Sequence, residues 1–251
     1  MTVAPVLEAV DIVKELGHGA GMVTALKGVS VALRPSELTL LMGPSGSGKT
    51  TLLSILGCIL KPTRGDVRVV GNSTAGLGAE ELARIRRDHI GFIFQSYNLF
   101  PTLTALENVR LALDVRGQSG FKAAARAEEV LRDVGLGHRL RYHPGSMSGG
   151  EQQRVAVARA IASSPSVVLA DEPTAALDTE NGHAVMALLA RIAKEQARSV
   201  LVVTHDPRTL PYADRVVRIE DGIIVGEERR PDGLDAPEIT DLTKKRRKAH
   251  A

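Results

Sequence analysis

The sequence of 251 residues has one cysteine, no tryptophan and only 3% aromatic residues. A single cysteine excludes an internal disulfide, and the apolar neighbours of Cys58 predict that it packs in the core on the apolar face of a helix. No apolar run approaches the roughly 18 to 20 residues of a membrane span, since even residues 52–60 form a short, interrupted stretch. No basic segment followed by an apolar one marks a secretory signal at the amino terminus. We therefore expect a cytosolic chain that does not itself cross a bilayer.

The net charge of the chain is also small once a short basic segment is set aside. The 32 basic and 29 acidic residues sum to +3, and residues 244–248 contribute five of the basic ones, so the remainder has 27 against 29, or −2. The body is therefore not a polyanion-binding surface, and no nucleic acid partner is expected. Residues 229–251 are predicted to form a flexible basic tail, for which contact with anionic lipid headgroups is a second interpretation.

The pattern of apolar residues predicts an α/β fold in one domain over residues 1–228. Residues 6–13 and 23–33 have the pattern of antiparallel strands joined by a glycine-rich turn, which indicates an amino-terminal β lobe. Residues 96–160 are mostly helical and are interpreted as an inserted helical lobe. The core is expected to be a mostly parallel sheet flanked by helices. A short buried strand is predicted over residues 38–42, and further strands over residues 66–70, 90–94, 167–170, 200–204 and 215–219.

Residues 43–50, of sequence GPSGSGKT, have the pattern of a phosphate-binding loop between a strand and a helix predicted over residues 49–60. Glycines let successive backbone amides point at phosphate oxygens, and the helix start adds unpaired N–H groups. Lys49 is expected to hold the β- and γ-phosphates, and the Thr50 hydroxyl to ligate Mg²⁺. The predicted nucleotide-binding residues here are Gly43, Pro44, Ser45, Gly46, Ser47, Gly48, Lys49, Thr50 and Thr51.

Two further segments have the residue types that phosphate chemistry needs. A buried parallel strand over residues 167–170 ends in Asp171 and Glu172, where the first acid can hold Mg²⁺ and the second can deprotonate an attacking water. Ser148 is a good N-cap, and Gly149 and Gly150 after it allow close backbone approach, so this helix start is a second phosphate cradle. A chain with two cradles and one nucleotide site indicates that the second cradle serves a neighbouring molecule.

Five motifs occur in the order typical of ATP-binding cassette (ABC) ATPases, and the chain resembles that family over residues 6–226. They are the phosphate loop at residues 43–50, Gln95, residues 148–152, Asp171-Glu172 followed by residues 175–178, and His205. A lone Gln95 or His205 is more often structural, but each follows an apolar strand in the expected order. The resemblance implies a P-loop NTPase core that uses ATP and Mg²⁺.

The resemblance also implies roles for individual residues. Two copies are expected to pair head to tail as a homodimer, so that each copy completes the γ-phosphate site of the other and hydrolysis requires the dimer. The completing residues are Ser148, Gly149, Gly150 and Glu151, and Asp178 connects the two sites. The implied catalytic residues are Lys49, Gln95, Glu172 and His205, and the implied metal ligands are Thr50, Gln95 and Asp171.

One family feature is missing. The family places an aromatic residue soon after the first strand to stack on adenine, but Leu16 stands at that position and no aromatic residue precedes Phe92. Base stacking contributes roughly 1 to 3 kcal/mol in other settings. We therefore expect weaker or less selective adenine recognition, with Leu16 and Val23 as apolar substitutes.

Residues 93–99, 106–109 and 213–217 resemble bacterial ATPases of macrolide export, lipoprotein release and heterocyst glycolipid export. This likeness implies a separate membrane permease, work on lipids, lipoproteins or drugs, a position on the inner face of the cell membrane, and a groove at residues 97–101 that receives a permease helix. Residues 97–101 are equally compatible with simple packing. Two alternatives stay open: signalling to cell-envelope enzymes without transport, and a nucleic-acid or ribosome-associated ATPase.

Overall fold

The computed structural model describes residues 4–17 and 19–230. The strands are β1 (Leu7–Leu16), β2 (Val23–Leu33), β3 (Leu38–Met42), β4 (Arg64–Val69), β5 (Asn72–Ser73), β6 (Ile90–Ile93), β7 (Val167–Asp171), β8 (Ser199–Thr204), β9 (Arg215–Glu220) and β10 (Ile223–Arg229). The α-helices are α1 (Lys49–Leu56), α2 (Ala79–His89), α3 (Ala105–Asp114), α4 (Gly120–Asp133), α5 (Gly149–Ile161) and α6 (Thr179–Glu195). Short 3-10 helices cover Gly19–Gly21, Pro144–Ser146 and Pro207–Tyr212.

A six-stranded sheet in the order β10-β9-β3-β8-β7-β6 forms the centre of the described chain. Neighbouring strands from β9 to β6 are parallel, and β10 is antiparallel to β9 at the edge. Successive side chains of a strand point to opposite faces, so Leu40 packs in the core on one face and Leu41 in the core on the other. Burial on both faces explains the continuous apolar runs of these strands, and the predicted α/β class is confirmed.

The amino-terminal strands form a separate antiparallel sheet in the order β2-β1-β4-β5. The hairpin of β1 and β2 pairs Leu7 with Leu33 at one end and Leu16 with Val23 at the other. Its inner face packs with α1 against the six-stranded sheet, in the core that contains Ile12, Leu26 and Leu52 among others. This sheet is the expected antiparallel lobe.

Helices α3, α4 and α5 follow β6 and pack on one another in the core of the opposite face. Thr104 caps α3, and the fully buried Asn108 one turn later shapes the chain that leads into it. The Asn108 amide donates to the carbonyl oxygens of Phe100, Leu103 and Thr104, and its oxygen accepts from the Phe100 N–H at 2.8 Å. One buried polar side chain therefore satisfies the backbone of the whole turn.

The prediction that α1 continues to residue 60 was wrong, because the helix ends at Leu56. The chain leaves the helix at Cys58, which has a left-handed backbone and donates its N–H to the Ile55 carbonyl oxygen. A Cβ on Gly57 would lie 1.9 Å from the ring of Phe92, which explains the glycine at this position. Cys58 therefore lies beyond the helix, at φ 54°, and not on a helix face. It is buried as expected, and burial raises the pKa of its thiol to about 11, which keeps it protonated and poorly nucleophilic.

Among the described strands and α-helices, three were not predicted: α2, β10 and the two-residue strand β5. Helix α2 contains a single buried residue, Leu82, so its apolar signal is weak, and β10 alternates exposed and half-buried positions at the sheet edge. In residues 4–17 and 19–230, no helix combines the length and the hydropathy of a membrane span. The predicted basic tail lies outside the described residues except for positions 229 and 230.

Candidate functional site

Four predicted site segments follow strands that are neighbours in the sheet. The phosphate loop follows β3, His205 follows β8, Glu172 follows β7, and Gln95 follows β6. The register aligns Met42 with Thr204, and Val203 with Asp171, so the strands end at one edge. Ligands of parallel sheets collect at the carboxyl ends of the strands, so the sheet brings these segments to one site.

The phosphate loop needs glycine at two close approaches. A Cβ on Gly43 would lie 2.0 Å from the carbonyl oxygen of Ile219, and one on Gly48 would lie 2.7 Å from that of Ala25. Gly48 also has φ 97°, a left-handed conformation that favours glycine. The loop is therefore held between the start of β2 and the end of β9.

Helix α1 begins at Lys49 without a side-chain cap, because Gly48 occupies the N-cap position. The first N–H groups of the helix have no intrahelical partners, and they favour an anion. The buried Lys49 ammonium donates to the carbonyl oxygens of Gly43 at 2.8 Å and Pro44 at 2.7 Å, across the mouth of the loop. A bound phosphate would replace these carbonyl oxygens as the acceptor of the ammonium hydrogen bonds. The buried Ser47 hydroxyl, which has no hydrogen-bond partner in the described residues, is a further donor in the loop.

Glu172 and His205 form a hydrogen-bonded pair of side chains at the site. The Glu172 carboxylate lies 2.7 Å from the Nδ1 atom of His205, across 33 residues of sequence. The Glu172 backbone has φ 46° and its N–H donates to the carbonyl oxygen of Val203, so the strand ends there and the side chain turns toward β8. The Glu172 side chain is 16% exposed and that of His205 is 71% exposed, so the pair faces solvent from the imidazole side.

Asp171 is suited to hold a cation. Burial raises the pKa of its carboxyl above the ordinary value, the adjacent Glu172 adds to this, and the Thr50 hydroxyl and Lys49 oppose it. Its Oδ1 atom is buried without a hydrogen-bond partner among the described residues. A buried carboxylate oxygen next to a threonine hydroxyl is the donor chemistry that Mg²⁺ prefers.

Mg²⁺ would need ligands besides the protein at this position. In residues 4–17 and 19–230, no cluster of three or more His, Cys, Asp and Glu side chains could hold a metal ion. Mg²⁺ is usually bound by one or two protein groups together with substrate phosphates and water. The residues present therefore fit an ion that arrives with a nucleotide. Gln95, the third predicted ligand, is exposed just beyond β6.

The second glycine-rich helix start, residues 148–151, is capped by its own side chains. The Ser148 hydroxyl accepts from the Glu151 N–H at 3.2 Å, and the Ser148 N–H donates to the Glu151 carboxylate at 2.9 Å. Arg139 donates to the other Glu151 oxygen at 2.9 Å and lies 4.6 Å above the Tyr142 ring. Burial raises the pKa of Glu151, but the Ser148 and Arg139 hydrogen bonds outweigh it and hold the pKa below the ordinary value.

Within one chain, residues 148–151 are not brought to the phosphate loop. Their described hydrogen bonds join each other, Arg139 and the Gln152 N–H, and α5 packs on β6 and on α3, α4 and α6. Asp178, at the N-cap of α6, lies on this side as well. The predicted site residues therefore fall into two groups, one at the sheet edge and one at the starts of α5 and α6.

Sequence reasoning missed three side chains that organise these groups: Arg139, Asn181 and Arg208. Arg208 donates to Asp206, beside His205, and to the Thr179 hydroxyl at 2.9 Å, so it joins the turn after β8 to the start of α6. Asn181 stands three residues after its N-cap Asp178, a local signal that could have been noticed. Arg139 and Arg208 had no such signal, because their partners lie 12 and 29 residues away.

Leu16 and Val23, the expected apolar substitutes for an adenine-stacking ring, pair at the turn end of the β1–β2 hairpin. They are 41% and 63% exposed, and Met22 beside them is 54% exposed. The same hairpin contacts the phosphate loop through Ala25 and Gly48. An exposed apolar patch therefore stands on the element that borders the loop.

Comparisons with known proteins agree with this geometry. A family model described as ABC transporter matches residues 26–175. The chain is 44% identical over 225 residues to a macrolide export ATP-binding/permease protein MacB of Marinobacter nauticus, a match that covers 90% of this chain and 35% of that protein. It is 47% identical over 225 residues to an uncharacterized ABC transporter ATP-binding protein of Thermotoga maritima, covering 90% and 96% of the two chains.

Solved structures give the same result. A dimeric post-hydrolysis state of the ATP-binding cassette MJ0796, bound to ADP and Pi, matches with a TM-score of 0.82 at 42% identity, over 90% of this chain and 99% of that one. The cbiO1 chain of Clostridium perfringens, part of the ABC transporter complex cbiONQ, matches with a TM-score of 0.80 at 26% identity, over 90% and 89%. The chain thus has the full length of a solved cassette but spans only about a third of the MacB protein.

Proposed function

Because this chain belongs to the ABC transporter family and is an ABC ATPase, we propose that it powers a membrane permease by binding and hydrolysing MgATP in a homodimer. The observation that carries this proposal is the Glu172–His205 pair, 2.7 Å apart, next to an open phosphate loop on the same sheet edge. An acceptor carboxylate beside an anion-binding loop is what the attack of water on a terminal phosphate requires.

Each residue at the sheet edge then has a chemical task. Glu172 orients the attacking water and accepts its proton, and the His205 N–H holds the carboxylate in place, because an ionised carboxylate only accepts hydrogen bonds. Lys49 leaves the Gly43 and Pro44 carbonyls and neutralises the β- and γ-phosphates. Thr50, Asp171 and Gln95 would hold Mg²⁺, which supplies positive charge at the phosphate oxygens.

The second half of the site comes from the partner in this proposal. Residues 148–151 and Asp178 lie away from the phosphate loop of their own chain, and the free amides at the start of α5 are suited to a γ-phosphate presented from outside. The dimeric cassette MJ0796 supports this arrangement, since it matches over nearly its whole length. ATP between two such surfaces would join two chains head to tail.

The permease and its cargo are inferred from likeness to MacB. We infer an exporter or a mechanical transmitter that acts on lipids, lipoproteins or drugs, with this chain on the cytoplasmic face of the membrane. Phe100 is 49% exposed, while Leu99 beside it packs on the helical core. Residues 97–101, which connect the sheet to the helical lobe, are the proposed contact with a permease helix. Anionic lipid contact through residues 244–248 stays a subordinate proposal.

The test of hydrolysis is ATP turnover against protein concentration, with Glu172→Gln beside it. We expect turnover per chain to rise with concentration, because two chains form each site, and Glu172→Gln to lower turnover by about 10² to 10⁴-fold, the usual contribution of a general base. The variant should still dimerise with ATP in light scattering. Glu180→Gln, an exposed carboxylate on α6, is the matched control and should behave as the parent.

Two results would contradict the assignment of the site. Turnover per chain that is independent of concentration would show that the site is not formed by two chains. Turnover unaffected by Glu172→Gln would show that Glu172 is not the general base. For the permease, photo-crosslinking from position 100 in source cells should give an integral membrane protein, whereas a ribosomal or nucleic acid adduct would favour the alternative class.

A further inference from the structure

The side chain of Asn181 lies between two groups that serve the partner's site in the proposed dimer. Its amide nitrogen donates to the Asp178 carboxylate at 2.7 Å, and its backbone N–H donates to the other oxygen of the same carboxylate at 2.8 Å. Its amide oxygen faces Gly150, where an added Cβ would lie 2.3 Å from it. Asn181 therefore contacts the start of α5 and the N-cap of α6 at once.

Contact with Asn181 gives Gly150 a requirement for glycine that is independent of phosphate binding. A Cβ there would also lie 2.6 Å from the Asn181 Cγ atom, so any side chain at position 150 would displace the Asn181 side chain from its place beside Asp178. Neighbouring Gly149 is closely packed as well, since its Cβ would lie 3.0 Å from the Tyr97 hydroxyl. The first residues of α5 are thus packed closely against Asn181 of α6 and against Tyr97.

The Asn181 side chain also orients Asp178 beyond what helix capping needs. The backbone N–H of Asn181 alone provides the N-cap hydrogen bond to one carboxylate oxygen. The side-chain amide occupies the second oxygen, which leaves the exposed carboxylate one orientation. The hydrogen bonds from Asn181 lower the pKa of Asp178, so the carboxylate is ionised when it meets the partner.

We propose that Asn181 is a positioning residue that holds Asp178 and the Gly150 turn in one fixed arrangement, so that a chain presents both to its partner's nucleotide together. This inference rests on the proposed homodimeric function. Loss of the Asn181 side chain keeps the backbone cap but frees the carboxylate and loosens the contact with α5. The cost then falls on ATP-dependent pairing of chains and not on ATP binding by one chain.

The experiment compares Asn181→Ala and Asn181→Asp in the Glu172→Gln protein, which is expected to retain ATP and dimerise. Asn181→Asp keeps the shape against Gly150 but replaces the donor by an oxygen that repels Asp178, whereas Asn181→Ala removes both contacts. Glu180→Ala, on the same turn and exposed, is the control. For each variant, ATP binding is measured at protein concentrations below dimerisation, and the dimerisation midpoint by light scattering at saturating ATP.

We expect both Asn181 variants to shift the dimerisation midpoint to about tenfold higher protein concentration, because pairing must then order the freed Asp178 side chain and the start of α5 again. ATP binding by single chains and the thermal unfolding midpoint should match the Glu180→Ala control. A destabilising effect alone would lower the unfolding midpoint and ATP binding together, and that result would overturn the proposal.

An unchanged dimerisation midpoint in both variants would also overturn it, as would weaker ATP binding by single chains. Failure of the proposed function appears elsewhere, in the Glu172→Gln parent, which would then not dimerise with ATP at any concentration. That result would remove the basis of this inference as well, but it would be seen before any Asn181 variant is compared.

Discussion

The two glycine-rich helix starts of this chain differ in how their first turn is satisfied. In the phosphate loop, Gly48 leaves α1 without a side-chain cap, and the Lys49 ammonium rests on the loop's own carbonyl oxygens. At the second start, Ser148 and Glu151 cap α5 reciprocally, and Arg139 holds Glu151. The first start has no side-chain cap, whereas at the second the cap takes up only the Glu151 N–H, so the Gly149 and Gly150 N–H groups still lack intrahelical partners.

The comparison explains why similar local sequences have different tasks. Free N–H groups, a movable ammonium and an unpartnered buried hydroxyl allow the phosphate loop to bind a nucleotide in a single chain. The capped start of α5 is rigid and nearly self-sufficient, so it is suited to receive a phosphate that another chain has already bound. Changes in the loop should therefore affect binding, and changes at α5 should affect only steps that need two chains.

Lys49→Ala should have the largest effect. Loss of the ammonium removes hydrogen bonds to phosphate from a charged donor, so we expect ATP affinity of the single chain to fall by at least about a hundredfold. Isothermal titration with ATP measures this, and Lys61→Ala is the control, because the Lys61 ammonium donates to the Leu77 carbonyl away from the loop. Unchanged ATP affinity would show that the loop is not the phosphate site.

Ser148→Ala should affect turnover but not ATP binding by the single chain. Loss of the N-cap hydrogen bond lowers the free energy of unfolding by about 1 kcal/mol, and loss of the hydroxyl from the composite site lowers turnover by roughly tenfold. Ser119→Ala is the matched control, because Ser119 occupies the N-cap position of α4 without a capping hydrogen bond. Weaker ATP binding by the single Ser148→Ala chain would contradict the assignment of residues 148–151 to the partner's nucleotide.

Leu16→Tyr tests whether the phosphate loop carries most of the nucleotide affinity. A ring on the hairpin next to the loop should improve ATP affinity by about five- to tenfold, near the lower end of base stacking, and raise the preference for ATP over bare triphosphate. Val10→Tyr, an exposed position elsewhere on β1, should change neither value. A parent that already binds ATP far more tightly than GTP or triphosphate would show that the missing ring has no consequence.

Asp171→Asn should give the smallest effect, a modest rise in the thermal stability of the nucleotide-free chain. Burial and Glu172 raise the pKa of Asp171, so its ionised form costs stability at pH values above that raised pKa. The advantage of the variant should be complete at neutral pH, shrink as the pH falls through the raised pKa, and vanish below about 3.9, the unfolded value. Calorimetry from pH 8 to pH 4, with the exposed Asp221→Asn as control, measures this; equal stability at neutral pH would contradict the burial cost.

Short-range features of this chain were predictable because their causes are local. The loop at residues 43–50 follows from the conformations open to glycine and from the helix start after it. Strands β3, β7 and β8 follow from apolar runs that only a doubly covered parallel sheet can bury. The Ser148 cap and the Asp178 cap likewise depend on neighbours within three residues.

Contacts between distant segments were beyond such reasoning. Phe92 packs closely against Gly57 at the end of α1, a contact that the residues around position 57 do not reveal. The roles of Glu172 and His205 stay predictions, but their separation of 2.7 Å is a property of adjacent strands that the sequence separates by 33 residues. The contacts of Arg139 with Glu151, of Arg208 with Thr179 and of Asn181 with Gly150 are of the same kind.

The class of sheet, the phosphate loop and the order of the motifs can be predicted from the residues alone, since each depends on backbone preference or on the period of apolar residues over a few positions. Three features come from the folded arrangement: four strand ends share an edge, residues 148–151 lie apart from their own loop, and Asn181 joins Asp178 to Gly150. These arrangements result from the packing of whole helices on the sheet. Packing depends on the shapes of many distant side chains together, which no local pattern encodes.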